Sequence, residues 1–173
     1  TVTDINDERV QSVVDEYGAA AVPMQNIYEQ EMDVFVPCAL GGVINEDTVP
    51  RLKCGIVAGS ANNQLETEAW GTALEERGIL YAPDYAINAG GLINVAIELQ
   101  GYDKERAHRQ VSLIYNNLGR IFDIAERDGI PSWQAADRMA EERIAAVGRT
   151  KLPYTRRFKD RLSGRVHHTT TTH

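Results

Sequence analysis

The chain of 173 residues has the length of a single domain, with 43% hydrophobic and 25% charged residues as in globular proteins. No apolar run approaches the length needed to span a bilayer. The net charge of −7 is the sum of −12 over residues 1–150 and +5 over residues 151–173. The acidic body argues against nucleic acid as a partner, and the basic tail, which ends in low-complexity sequence, is expected to be flexible.

Short apolar runs alternate with segments of helical spacing in the N-terminal part of the chain. The apolar runs predict strands over residues 19–22, 33–37, 54–58 and 79–82. Helical spacing predicts helices over residues 7–18, 24–31, 45–52 and 65–78. Unbroken apolar strands that alternate with helices favour a parallel sheet covered on both faces, whose ligand site lies beyond the carboxyl ends of the strands.

The stretch of residues 81–102 joins the last predicted strand to another amphipathic segment through Asn88, Gly90 and Gly91. Paired glycines allow a turn with positive φ and let a ligand approach the backbone closely. The N–H groups that open the next helix point into the same space. A tight strand-to-helix connection in which Asn88 only caps the helix explains the pattern equally well.

Helices dominate the chain after residue 102. A stripe of apolar residues with alternating spacings of four and three predicts one long helix that Gly129 and Pro131 end. Ser132 then caps a second predicted helix over residues 133–146. The expected organisation is therefore a sheet part over residues 1–101, helices over residues 102–150 and a tail over residues 151–173.

Four ordered motifs of the chain resemble the leucine dehydrogenases, within the superfamily of glutamate, leucine, phenylalanine and valine dehydrogenases. The motifs are Pro37-Cys-Ala-Leu-Gly-Gly42, Ala58-Gly-Ser-Ala-Asn-Asn-Gln-Leu65, Pro83-Asp-Tyr-Ala-Ile-Asn-Ala-Gly-Gly-Leu-Ile-Asn-Val95 and Ala135-Ala-Asp-Arg-Met-Ala-Glu-Glu-Arg143. The resemblance covers residues 1–150 and implies the C-terminal, NAD-binding part of such an enzyme. The implied fold class is α/β, a partial Rossmann-type parallel sheet with helices on both faces, followed by C-terminal helices.

The glycine-rich G-x-G-x-x-G turn that holds a dinucleotide pyrophosphate does not occur in the sequence. The chain is therefore expected to begin inside a dinucleotide-binding domain, after that turn. No residue matches the catalytic lysines and aspartate of the resembled family, so no catalytic residue is assigned in this chain.

The resemblance implies cofactor-binding roles for five residues. Asp4, at the end of a strand, would accept hydrogen bonds from the ribose hydroxyls and favour NAD over NADP; the alternative role is a helix N-cap. Backbone atoms of Cys38 and Ala39 would lie along the adenosine and pyrophosphate. Asn62 would bind the nicotinamide carboxamide, because a neutral amide both donates and accepts hydrogen bonds, with Asn88 beside the nicotinamide and the substrate.

Leu92 and Val95 lie three residues apart on one helical face, where leucine dehydrogenases place the aliphatic residues that line the substrate side-chain pocket. Core packing is the alternative for both residues. For Asn63 and Gln64, the preferred interpretation is ordinary polarity of a surface loop. Cys38 and Cys54 form no CxxC pair, which favours reduced thiols in a cytoplasmic protein, and no spacing indicates a metal site.

The implied activity is NAD-dependent oxidative deamination of L-leucine and other branched-chain L-amino acids to 2-oxo acids, by chains assembled into octamers. The alternatives are an inactive cofactor-binding or interaction fragment, and a dehydrogenase for phenylalanine or valine. Turnover by the isolated 173 residues is not expected, because the phosphate-binding turn and the catalytic residues are missing from the sequence.

Overall fold

A computed structural model describes residues 1–149 and shows a small parallel sheet flanked by helices. Its strands are β1 (Val34–Phe35), β2 (Ile56–Val57) and β3 (Leu80–Tyr81), in the order β1-β2-β3. Both strand pairs are parallel, and Val34, Ile56 and Leu80 stand in register. The α/β class and the parallel sheet are thus confirmed, although each strand is shorter than its apolar run.

The predicted strand over residues 19–22 is wrong. Ala21 forms only an isolated parallel bridge with Val2, held by a hydrogen bond of 2.9 Å from the Val2 N–H to the Ala20 carbonyl and one of 3.1 Å from the Val22 N–H to the Val2 carbonyl. A single bridged pair is too short to be a strand, and Ala21 is exposed. Apolar residues alone therefore do not make a strand without a longer pairing partner.

The predicted helix over residues 7–18 is confirmed as α1 (Asp7–Tyr17). The Asn6 side chain caps its first turn by accepting from the Arg9 N–H, and Gly18 ends it with a left-handed φ of 65°. The N-cap is therefore Asn6, and the alternative role of Asp4 as a cap is wrong. The Asp4 carboxylate instead accepts from the Asn6 N–H at 2.9 Å.

Two predicted helices form only 3-10 turns, Met24–Glu29 and Val49–Arg51. The second is short because Pro50 has no backbone N–H, which removes a hydrogen bond that an α-helix over residues 45–52 would need. The Asn45 side chain accepts from the Thr48 N–H at 3.1 Å, and the Thr48 hydroxyl donates to the Val43 carbonyl at 2.6 Å. The predicted helix over residues 65–78 is confirmed in a shorter form, α2 (Glu68–Glu76).

The chain after β3 folds as two consecutive helices rather than as a glycine turn. These are α3 (Asp84–Ile87) and α4 (Gly90–Glu98), and neither Gly90 nor Gly91 has a positive φ. The predicted turn with left-handed glycines is wrong. Asn88 also does not cap α4, since it is the C-cap residue of α3 and Ala89 precedes α4 without a side-chain cap.

Two long helices follow, α5 (Lys104–Asp128) and α6 (Ser132–Arg149), as the apolar stripe and the Gly129 stop predict. Ser132 is the first residue of α6 rather than its cap. Its hydroxyl donates to the Tyr81 carbonyl at 2.6 Å and so joins α6 to the end of β3. No helix within residues 1–149 is long and apolar enough to cross a membrane.

The buried core lies in two clusters. The first surrounds the sheet and includes Ile44, Val57 and Leu74, each fully inaccessible. The second lies between α5 and α6 and includes Ile121 and Ala135. The chain divides into two units, Thr1–Ala140 and Glu141–His173. In the second unit, residues 141–149 are described and are exposed. The predicted tail over residues 151–173 lies outside the described residues.

Candidate functional site

The loops that follow β1 and β2 touch each other through backbone atoms. A Cβ on Gly59 would lie 2.0 Å from the Pro37 carbonyl oxygen, so only glycine fits at this position. The Ala61 N–H donates to the same carbonyl at 3.0 Å, and the Gly42 N–H donates to the Asn63 carbonyl at 2.7 Å. We call the loops after β1, β2 and β3, residues 37–44, 58–65 and 82–89, the carboxyl edge of the sheet.

Asn62 and Asn88, two of the predicted cofactor-binding residues, meet at this edge. The Asn88 side-chain nitrogen donates to the Asn62 side-chain oxygen at 2.5 Å and lies 3.5 Å from the Ser60 carbonyl. The two residues are 26 positions apart in the chain. The fold therefore assembles an amide pair from the loop after β2 and the end of α3.

Gln64 is fully buried, so its interpretation as a surface-loop residue is wrong. Its side-chain nitrogen donates to the Gly59 carbonyl at 2.7 Å and to the Ala61 carbonyl at 3.0 Å, which closes the loop that carries Asn62. Asn63 is exposed, as expected of a surface loop, and has a left-handed φ of 52°. Asn adopts left-handed backbone angles with less strain than most other residues, which suits it to this position.

Asp84 bonds to two parts of the candidate site, and the sequence analysis did not identify it. Its carboxylate is buried and accepts from the Gln64 N–H at 2.9 Å and from the Tyr85 N–H at 2.8 Å. Its backbone carbonyl accepts from the Asn88 N–H at 2.9 Å. The available sequence signal was an acid directly after Pro83 at a helix start, where free N–H groups attract carboxylates.

The pKa values of two tyrosines beside Asp84, Tyr81 and Tyr85, are raised above the usual value. Burial, followed by the charge of Asp84, raises the pKa of Tyr81 well above its usual value. Burial and the nearby Asp137 carboxylate raise the pKa of Tyr85 in the same direction. The Tyr85 hydroxyl lies 2.9 Å from the Asp137 carboxylate and 3.1 Å from the Trp133 carbonyl, which joins α3 to α6.

Asp4 is not in the loops of the carboxyl edge. It lines an open cleft of about 610 Å³ together with Val10, Val22 and Pro23. Cys38 and Ala39 are exposed in the loop that packs on Gly59. Cys38 is a free thiol in the structure.

Leu92 and Val95 are 75% and 52% exposed on α4. Core packing within the described part of the chain therefore does not explain either residue. An apolar pair at this position can contact a ligand or another protein surface. Among residues 1–149, no three His, Cys, Asp or Glu side chains come together in a way that could hold a metal ion.

Comparisons with known proteins place these features in a family context. The family described as Glutamate/Leucine/Phenylalanine/Valine dehydrogenase matches residues 1–150. The chain is 59% identical to a leucine dehydrogenase of Thermoactinomyces intermedius over 153 residues, which are 88% of this chain and 42% of that protein. A phenylalanine dehydrogenase of Bacillus thermotolerans is 48% identical over 159 residues, 89% of this chain and 42% of that protein.

The fold is similar to the crystal structure of L-tryptophan dehydrogenase from Nostoc punctiforme, with a TM-score of 0.83 and 47% identity over 85% of this chain and 44% of that chain. The chain spans less than half the length of each of these relatives. The family match covers residues 1–150, the N-terminal region of this chain. It does not support the expectation that the chain is the C-terminal part of a longer enzyme.

Proposed function

This chain belongs to the Glutamate/Leucine/Phenylalanine/Valine dehydrogenase family, and from that premise we propose that its carboxyl edge binds NAD. The reaction served is the oxidative deamination of L-leucine and other branched-chain L-amino acids to 2-oxo acids and ammonia. A hydride leaves the substrate Cα for the nicotinamide in this reaction. No residue of this chain is proposed to activate water or to transfer a proton.

The observation that carries the proposal is the amide pair of Asn62 and Asn88. Because Asn88 donates to the Asn62 oxygen, the Asn62 NH₂ group can still donate and the Asn88 oxygen can still accept. A nicotinamide carboxamide offers one oxygen acceptor and one NH₂ donor, which complements that arrangement. A lone carboxylate lacks the donor, and an ammonium group lacks the acceptor.

Specificity for NAD rests on Asp4. A carboxylate at the cofactor ribose accepts hydrogen bonds from the 2′ and 3′ hydroxyls and repels a 2′-phosphate. Its position at an open cleft leaves room for a ribose and a planar base. Cys38 and Ala39 are exposed residues, and their backbone is proposed to run along the adenosine and pyrophosphate.

The substrate side chain is proposed to contact Leu92 and Val95, whose exposure leaves them accessible. A difference of one methylene in such a pocket changes substrate discrimination by about 1–3 kcal/mol. A preference for phenylalanine or valine is the second candidate, because a relative named phenylalanine dehydrogenase is 48% identical. A further candidate is cofactor binding without turnover, and its support is that the sequence matches no catalytic lysine motif.

The remaining proposals follow the same family premise. The chains assemble into homo-oligomers, with an octamer as the expected size, and act in the cytoplasm. The cofactor-binding part comprises residues 1–101, and residues 102–150 form a helical part behind it. Sedimentation of the protein tests the assembly size.

An isosteric change at Asn62 tests the NAD proposal. In Asn62→Asp the side chain still accepts from Asn88 but can no longer donate to a carboxamide oxygen, so we expect NADH affinity to fall about tenfold or more. Titration of the chain with NADH, followed by cofactor fluorescence, measures the affinity. Asn63→Asp is the matched control, because it adds the same charge one residue away on an exposed side chain.

Three outcomes decide between the candidates. Absence of NADH binding by the wild-type chain, or equal affinities for wild type and Asn62→Asp, would refute the proposed site. NADH binding without NADH formation from NAD and L-leucine would favour the cofactor-binding candidate. Faster turnover of L-phenylalanine than of L-leucine would favour the second substrate class.

A further inference from the structure

Two buried polar side chains, Gln64 and Asp84, lie directly behind the Asn62–Asn88 amide pair. Gln64 has no accessible surface and Asp84 is 7% exposed, so neither reaches a bound cofactor. Burying an amide and a carboxylate is unfavourable unless their hydrogen bonds are satisfied. The Gln64 side-chain oxygen has no hydrogen-bond partner among the described residues, so the burial of these side chains needs an explanation in terms of what they hold.

Gln64 fixes the loop that carries Asn62. Both hydrogens of its side-chain NH₂ are used, one on the Gly59 carbonyl and one on the Ala61 carbonyl. These carbonyls belong to the residues that precede Asn62 and that touch the Pro37 loop. The position of the Asn62 side chain is thus set from the interior of the protein.

Asp84 joins that loop to the helix that carries Asn88. One carboxylate oxygen accepts from the Gln64 N–H, and the other accepts from the Tyr85 N–H at the start of α3. The backbone carbonyl of the same residue accepts from the Asn88 N–H at the end of α3. Asp84 therefore links the two members of the amide pair, through its carboxylate on the side of the Asn62 loop and through its backbone carbonyl on the side of Asn88.

We propose that Gln64 and Asp84 are positioning residues that set the relative placement of Asn62 and Asn88 and thereby control binding of the nicotinamide end of the cofactor. The inference rests on the proposed function of the amide pair. It assigns no contact with the cofactor to either residue. We expect their effect to be largest at the nicotinamide end, because their hydrogen bonds lead to the residues that carry Asn62 and Asn88, whereas the Asp4 carboxylate accepts from the Asn6 N–H.

Asp84→Asn is the sharpest test because it changes one atom. Both carboxylate oxygens face backbone N–H groups, whereas an amide has a single oxygen and must turn its NH₂ group toward one of those donors. One of the two hydrogen bonds that the Asp84 side chain accepts is therefore lost, while side-chain volume is kept. Gln64→Ala is the second variant, and it removes both donors to the loop carbonyls while leaving the backbone N–H on Asp84.

The readout compares NADH with ADP-ribose, which lacks the nicotinamide ring. The nicotinamide of NADH is uncharged, so loss of the Asp84 charge does not by itself change its attraction to the site. We expect each variant to weaken NADH binding about tenfold and to leave ADP-ribose binding within about twofold of wild type. The exposed Asp47→Asn is the matched control and should change neither affinity.

The outcomes separate this inference from the proposed function. If the wild-type chain does not bind NADH, the proposed site fails and the inference fails with it. If wild type binds NADH but the variants bind it equally well, or lose NADH and ADP-ribose to the same extent, only the positioning role is overturned. Loss of fold in both variants, seen by circular dichroism, would assign the pair to stability and also overturn that role.

Discussion

Gly59→Ala should destabilise the protein strongly although it adds only one methyl group. The new Cβ would lie 2.0 Å from the Pro37 carbonyl oxygen and 2.6 Å from the Pro37 nitrogen, where ordinary contacts are 3.4–4 Å. Both neighbours are backbone atoms of a proline, so no side-chain rotation can relieve the clash. The two loops of the carboxyl edge must therefore move apart.

The cost of Gly59→Ala has two parts. Overpacking a tight contact costs about 1–3 kcal/mol. Separation of the loops also breaks the hydrogen bond of 3.0 Å between the Ala61 N–H and the Pro37 carbonyl, which contributes about 1 kcal/mol. We expect the free energy of unfolding to fall by about 2–4 kcal/mol, which corresponds to a loss of roughly 4–16 °C in melting temperature for a chain of this size.

Gly119→Ala is the matched control, with the opposite sign. Gly119 lies inside α5, and a Cβ there would meet no heavy atom within 4 Å. Alanine should therefore stabilise the helix by about 0.5–1 kcal/mol. Urea unfolding of both variants by circular dichroism measures the difference, and equal midpoints for wild type and Gly59→Ala would refute the close approach of the two loops.

Three further predictions concern charged and capping groups. Asn6→Ala should lower the free energy of unfolding by about 1 kcal/mol through loss of the α1 cap. Asp4→Ala should cost less stability and should weaken NADH binding. Urea titrations measure the first effect and NADH titrations the second. Because the pKa values of Tyr81 and Tyr85 are raised, the folded state keeps protons that the unfolded state releases near pH 10. Stability should therefore fall as the pH rises above about 10. Tyr85→Phe should reduce that dependence in unfolding curves measured at several pH values. Arg127 and Arg138 lower the pKa of Asp128 to about 2. The contribution of this carboxylate to stability is therefore present above its unfolded pKa and is lost as the pH falls through about 2. A carboxyl titration by NMR with a midpoint near the usual value would contradict this.

Helices that carry their own start and stop signals are predictable from the sequence. The apolar face of α1 ends at Gly18, and α5 begins after Asp103, whose side chain accepts from the Arg106 N–H. Both signals act between residues a few positions apart, so they are visible without knowledge of the fold. The strands are less predictable because an apolar run does not show how many of its residues find a partner.

The Gly90-Gly91 pair shows where local sequence is ambiguous. Two glycines are typical of a turn, but they also adopt helical φ without strain. The helical outcome is decided by hydrogen bonding, since the Ile93 N–H donates to the Ala89 carbonyl at 3.0 Å. Packing against α5 does not require glycine here, because a Cβ on Gly90 would lie at an ordinary contact distance of 4.0 Å from Val111.

The candidate site was partly predictable for a related reason. Asn62 and Asn88 follow the ends of two parallel strands, and such ends lie at one edge of a sheet, so their meeting follows from the fold class. Gln64 differs, because the same amide chemistry suits a solvated loop and a buried loop whose carbonyls need donors. Only the fold shows that the Gly59 and Ala61 carbonyls turn inward. The residue that holds this loop is therefore the buried Gln64 and not an exposed neighbour, which amide chemistry alone does not reveal.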